Sequence, residues 1–189
     1  MANIIKSINF GYMRGSMLCD AARMAAVESK KFFRQSFRNG GFTDAALVKW
    51  RGSNNPFRRK MMFGVGTLMG SIRTEEGAMR VVVSSNTAYS AIHNDGGTIT
   101  VTAQMKRFWW ARYIEFSGKT KKTKKGKVSR AKANQKISAK AEFCKRMALM
   151  KVGSKIKIPK RQFMGESKTL MNNLDKKLHI KIAEYWEKA

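Results

Sequence analysis

One lysine-dominated stretch limits what this chain can fold into more than any other feature. From Ser117 to Lys140 there is no acidic residue, and the centre reads Lys119-Thr120-Lys121-Lys122-Thr123-Lys124-Lys125-Gly126-Lys127. Like charges at this density repel one another, and they are costly to bury without partners. The segment therefore belongs on the surface, and it separates whatever packs before it from whatever packs after it. The composition predicts a flexible basic arm over 117–138 that orders against a partner. Lys119, Lys121, Lys122, Lys124, Lys125, Lys127, Arg130 and Lys132 are the candidate contacts to DNA or to an acidic protein.

The remaining sequence shares the bias. Lys and Arg number 39 against 12 Asp and Glu, for a formal net charge of +27 over 189 residues. Such a chain calls for polyanions or acidic neighbours. At 43% hydrophobic it can still bury a core, and its length suits a single domain, 1–189, carrying an insertion. The two cysteines, Cys19 and Cys144, are too few for a disulfide framework or a zinc site, and they read as buried free thiols that could bridge if oxidised. Neither a secretory signal nor an apolar run near the roughly 20 residues of a spanning helix is evident. The expectation is a soluble protein made in the cytoplasm, with no membrane partner.

Periodicity supplies the elements. Ala22, Ala26, Phe33 and Phe37 share one face of a helix over 20–37, stopped by Asn39-Gly40-Gly41. Residues 42–60 have little period and read as a long loop anchored by Trp50 and Phe57. Two strands, 71–75 and 78–84, flank a turn at Glu76-Gly77. A short helix follows over 87–95, with Asn86 or Thr87 as its cap and Gly96-Gly97 as its end. Residues 98–103 alternate as a strand, 104–116 and 139–151 as helices, and 155–158 as a strand ending at Pro159. Ser167 caps a last helix over 168–187 with Leu170, Leu174, Leu178 and Ile182 on its apolar stripe. The sum is an α+β fold: a small, mainly antiparallel sheet packed by helices, with long loops and a basic arm.

Three features invite a chemical reading. His93 lies beside Asn94, Asp95 and a double glycine, but a general base needs an orienting partner. Asp95 is two residues away and points elsewhere on a helix, and His179 is remote. Gly64-Val65-Gly66-Thr67-Leu68-Met69-Gly70 lacks the Lys-Ser or Lys-Thr of a phosphate loop. Phe108, Trp109, Trp110, Tyr113 and Phe116 sit beside Lys106, Arg107 and Arg112. They fit base stacking or a membrane interface, but residues 109, 113 and 116 also form an ordinary packing stripe. The residues therefore call for no catalytic group, no metal and no cofactor.

Three blocks occur in an order that resembles a known family. They are Gly66-Thr67-Leu68-Met69-Gly70-Ser71-Ile72, Tyr89-Ser90-Ala91-Ile92-His93-Asn94-Asp95-Gly96-Gly97, and Ile158-Pro159-Lys160-Arg161-Gln162-Phe163-Met164-Gly165. Together they are similar to the virion morphogenesis, or tail-completion, proteins of Mu-like tailed phages. Gly66 precedes Thr67 here, the reverse of the usual order, and Ser90 replaces the usual alanine. The resemblance covers about 60–102 and 154–188, and the basic segment between looks like an insertion.

The resemblance implies a structural protein of the virion neck, built in the host cytoplasm, with no enzymatic activity. It implies a ring of identical subunits, expected as a hexamer, that completes or terminates the tail and joins it to the capsid. The expected neighbours are connector and tail-tube proteins and the packaged DNA of the channel. The signature residues carried over are Thr67, Leu68, Ser71, Ile72, Tyr89, Ile92, His93, Gly96, Gly97, Pro159, Arg161, Phe163 and Gly165. In this reading His93 holds backbone or an adjoining subunit in place. Pro159 stops the strand, Phe163 anchors the turn and Gly165 permits the bend before Ser167. The rival reading is a free nucleic-acid-binding protein that uses the 117–140 run and the 106–116 helix.

Overall fold

The computed structural model describes residues 10–53, 55–57, 62, 66–77, 80–121, 125, 126, 129 and 131–187. Among these, six helices and six short strands alternate along the chain. All strand pairing is antiparallel, and the fold is α+β.

Helix α1, Phe10–Asn39, is the spine, about 45 Å long at 1.5 Å per residue. It starts ten residues ahead of the expected Asp20, because no proline interrupts the preceding turns. Its buried face is the one the spacing gives: Ala22, Ala26, Phe33 and Phe37, with Ser29 and Ser36 between them. Helix α6, Lys168–Glu187, runs antiparallel to it. At one end of the pair Leu170 joins Phe33 and Phe37 in the core, and at the other Tyr185 Oη donates to Asp20 Oδ2 at 2.8 Å. Between these ends Lys177 and Glu28 form an ion pair at 2.5 Å.

The expected loop over 42–60 begins instead as a hairpin, β1 Gly41–Thr43 and β2 Leu47–Lys49. Three residues per strand are too few to leave a readable period. Gly41 is required there, since a Cβ would strike the Val48 carbonyl and come within 2.8 Å of Lys49 Cα. The hairpin turn caps α6. Asp44 Oδ1 accepts the Lys168 N–H at 2.8 Å, the Asp44 carbonyl accepts from Thr169 N at 3.1 Å, and Ser167 Oγ donates to Thr43 O at 2.8 Å. Ser167 Oγ also accepts the Leu170 N–H at 3.1 Å, the cap expected from sequence.

A one-turn helix, α2 Thr67–Gly70, leads into the hairpin β3 Ile72–Glu76 and β4 Val81–Ser85, which packs on α1. Helix α3 covers Ser90–Asp95 and starts later than expected. Its cap is Tyr89 rather than Asn86 or Thr87, and no side chain caps it. Strand β5, Gly97–Thr100, pairs with β6, Lys155–Ile158. The expected single sheet is thus three separate ribbons, β1–β2, β3–β4 and β5–β6. Among the described residues no further ladder joins them.

Everything between β5 and β6 is one excursion. Helix α4, Ala103–Gly118, goes out and α5, Lys132–Leu149, comes back. The two pack chiefly on each other. The arm expected over 117–138 is helical at both ends, while Lys122 to Lys124, Lys127, Val128 and Arg130 lie outside the described residues. Lys132 to Ser138 form the first turns of α5, and the arm as a whole spans 97–158. Phe57 reaches it from the loop after β2. Its ring lies 6.3 Å from Trp109, 5.3 Å from Phe116 and 5.9 Å from Phe143. Lys140 lies over both Phe57 and Phe116, at 5.6 Å from each ring.

The main core holds Phe33, Phe37, Phe42, Met62, Leu68, Ile72, Phe163 and Leu170. It lies where the C-terminal half of α1 meets the β1–β2 hairpin and the start of α6. No helix among the described residues is long and apolar enough to cross a membrane.

Candidate functional site

The third signature block meets both of the others: Leu68 and Ile72 of the first share the core with Phe163, and the second is hydrogen-bonded to it. Asn94, on α3, is the junction. Its Oδ1 accepts two backbone N–H groups, from Phe163 and Met164, each at 3.0 Å. One residue earlier, the His93 carbonyl accepts the Arg161 N–H at 2.8 Å. The segment after β6 is therefore laced to α3 by three hydrogen bonds. Gly96, at φ 78°, lets the chain turn under it, and a Cβ there would lie 2.9 Å from Lys160 N and 3.2 Å from Ile158 O. Trp50 closes the far side, its Nε1 donating to Gln162 O at 2.7 Å.

The signature side chains divide into core and frame. Leu68, Ile72 and Phe163 are buried in the core, where Phe163 meets Phe37 at 5.0 Å between ring centres. Ser71 is buried; its Oγ donates to Leu68 O at 2.8 Å and pairs with Ser85 Oγ at 2.7 Å. Ser85 Oγ continues to Thr87 Oγ1 at 3.2 Å, tying the β3–β4 ribbon to the approach to α3. Thr67 is exposed at the start of α2. Ile92 packs under Gly97, whose position would bring a Cβ to 3.2 Å from Ile92 Cγ1. Arg161 is buried at 5% exposure, Pro159 is half-buried, and Gly165 is exposed.

The histidine has a packing role in this frame. Its ring is half-buried and meets Tyr89 edge-on at 5.9 Å. The neighbouring carboxylate, Asp95, is exposed and accepts from Asn94 Nδ2 at 2.8 Å. His179 is far away on α6, exposed, with Nδ1 2.9 Å from Asp175 O. Among the described residues no group of three or more His, Cys, Asp or Glu could hold a metal ion. Of the two cysteines expected to be buried, Cys144 on α5 is, and burial pushes its thiol pKa up, but Cys19 on α1 is exposed.

The basic candidates group at the tip of the arm. Lys119, Lys121, Lys125 and Lys132 are exposed there, while Lys122, Lys124, Lys127 and Arg130 lie outside the described residues. Lys119 is partly spent, bridging Glu115 at 2.8 Å, which Arg112 also bridges at 2.7 Å. These two cations hold the Glu115 carboxyl below its ordinary value.

Sequence reasoning missed the residue that organises this tip. Asn134 is buried; its Oδ1 accepts the Lys121 N–H at 2.7 Å, and its Nδ2 donates to the carbonyls of Lys121 and Ser129, each at 2.9 Å. Its only sequence signal is an asparagine one turn into a helix that follows a charged loop.

The aromatic helix is likewise two-sided. Trp109 and Phe116 face Phe57 and α5, as the stripe predicts. Phe108 (52%), Trp110 (38%) and Ile114 (69%) face solvent. A second apolar surface, a groove of about 440 Å³, runs between α1, α6 and β4. Leu18, Met24, Val81, Met171 and Leu178 line it.

No family model, curated protein or solved structure matches the chain.

Proposed function

We propose that this chain is a structural subunit of a phage neck, a tail-completion or tail-terminator protein that forms a ring and joins the tail to the capsid. The observation that carries the reading is the junction at Asn94. Of the three stretches that resemble one family, the second and third are joined there by Asn94 Oδ1 and the His93 carbonyl, and the first meets the third in the core through Leu68, Ile72 and Phe163. In this reading the motifs are a frame: Leu68, Ile72 and Phe163 fill the core, and Gly96 and Asn94 lock the return of the chain. His93 packs and transforms nothing.

A closed ring of identical subunits needs two unlike surfaces that fit each other. The apolar groove between α1 and α6 and the solvent-facing Trp110 and Ile114 of the arm meet that need. At +27 the copies repel, so closure requires salt or acidic neighbours such as connector and tail-tube proteins.

The test is light scattering of the full chain across salt concentrations, with labelling of the chain on intact particles. The expected result is a closed ring that forms as salt rises, loses affinity in Trp110→Glu, and is found between head and tail. A chain that stays monomeric at all salt concentrations and is missing from the particle would overturn the reading.

A further inference from the structure

We propose that the tip of the α4–α5 arm is a docking site for the phosphate backbone of duplex DNA, with Asn134 as the positioning residue that keeps its loop in shape. This goes beyond the neck assignment and does not rest on it.

Charge is the first support. Over 97–158 the chain carries 18 Lys and Arg against two acids, Glu115 and Glu142. Glu115 is taken up by Arg112 and Lys119 on the stem. Among the described residues no ion pair neutralises Lys121, Lys125, Lys132 or Lys136, and all four are exposed. Lys140, by contrast, is committed to the Phe57 and Phe116 rings. Arg112, Lys119 and Lys140 are thus engaged within the arm, whereas Lys121, Lys125, Lys132 and Lys136 are exposed with no ion pair among the described residues.

Shape is the second, independent support. A lysine-rich connection of this kind should be a loose tether. Instead Lys121 and Ser129 are drawn together: the Ser129 N–H donates to Lys121 O at 3.0 Å, and buried Asn134 bonds both residues. Burying an asparagine to close a loop of like charges raises their mutual repulsion. It is consistent with loop ends held in place for an anion by Lys121 and by Lys132 of α5, because preorganisation removes part of the ordering cost of binding.

The partner's chemistry follows. B-DNA carries one negative charge per roughly 1.7 Å of axis, a density that suits clustered point charges such as lysine ammonium groups. A bilayer partner would call for an apolar anchor among the charges. Residues 119–131 hold one apolar side chain larger than alanine, Val128, and no aromatic, and the exposed aromatics stand further down the stem. The same lack of a stacking platform at the tip disfavours single strands.

The test uses the full chain and a labelled duplex of about 20 base pairs, titrated by anisotropy between about 0.05 and 0.3 M salt. Log affinity should fall linearly with log salt, with a slope of roughly −4, about 0.9 for each phosphate engaged. The triple variant Lys121→Ala, Lys125→Ala, Lys132→Ala should flatten that slope by about 2 to 3. Asn134→Ala keeps every lysine, so it should weaken binding severalfold while leaving the slope in place, with far-UV circular dichroism reporting whether α4 and α5 persist. The lysine variant decides the site whatever Asn134→Ala does to the helices. The proposal is overturned if the triple variant keeps the slope of the parent, or if single strands, vesicles of anionic lipid or polyglutamate compete better than duplex at equal salt. An Asn134→Ala chain with intact helices and unchanged affinity would remove Asn134 from it.

Discussion

Asn94 holds Phe163 in the core from the outside: its Oδ1 accepts the Phe163 backbone N–H at 3.0 Å, from 69 positions along the chain. The same oxygen takes the next amide, Met164, at 3.0 Å. Truncating Asn94 to alanine strands two part-buried donors at once, and an unsatisfied buried donor costs about 1–3 kcal/mol. Asn94→Ala should therefore lower unfolding stability by about 2–3 kcal/mol in urea denaturation. Asn94→Asp keeps the acceptor but sets a second carboxylate beside Asp95, so its loss should be smaller. A change within about 0.5 kcal/mol for the alanine variant, the range of an ordinary surface substitution, would deny the junction its role.

Gly96 and Gly153 separate two reasons for a glycine. Both have positive φ, 78° and 87°. A Cβ on Gly153 meets nothing within 4 Å, whereas one on Gly96 lies 2.9 Å from Lys160 N. Gly153→Ala should cost only the left-handed penalty, about 1–2 kcal/mol. Gly96, at φ 78° and ψ 177°, sits in a region that is essentially glycine-only, and Gly96→Ala adds a collision with backbone, so it should cost at least about 1 kcal/mol more. Paired thermal melts check this, and equal losses would show that the Lys160 segment yields.

Much of this frame was legible in the sequence, because its signals are local. The α1 face Ala22, Ala26, Phe33 and Phe37 follows from a 3.6-residue period, and the α6 cap from Ser167 before an apolar stripe. What was not legible depends on distant partners. The β1–β2 hairpin is stabilised by what its turn does for α6, through Asp44 and Lys168, 124 residues apart. Strand β5 reads as a strand because its β-branched residues alternate, but its partner β6 lies more than fifty residues on, which no local signal shows. The basic run read as disorder on composition. One buried side chain, Asn134, reverses part of that reading, and composition cannot show where a single amide will be satisfied.

Acid should act on the stem of the arm through Glu115. Lys119 and Arg112 bond its carboxylate and lower its pKa from the ordinary 4.5. A carboxyl lowered on folding adds stability that is present above 4.5 and is lost as pH falls through the folded value. The carboxyl carbon of Glu115, followed by NMR, should titrate with a midpoint below 4.5, moving toward that value in Lys119→Met. A midpoint at or above it in the parent chain would mean that the two bridges do not persist in solution.

Phe57 should control the arm without controlling the core. Its ring is the meeting point of Trp109, Phe116 and Phe143, and Lys140 lies over it. Helices α4 and α5 pack chiefly on each other and are tied back by the β5–β6 ribbon. The α1–α6 pair, with Phe33, Phe37 and Phe163, forms a separate cluster. Phe57→Ala removes a half-buried ring, so its cost should fall below the roughly 3–5 kcal/mol of a fully buried phenylalanine, at about 2 kcal/mol. Amide exchange locates that loss. Protection should fall across 103–118 and 132–149 and hold across 20–37 and 168–187, because opening the arm leaves the core cluster in place. An equal loss in all four segments would mean that arm and core unfold as one unit, and Phe57 would then be part of a single cooperative core.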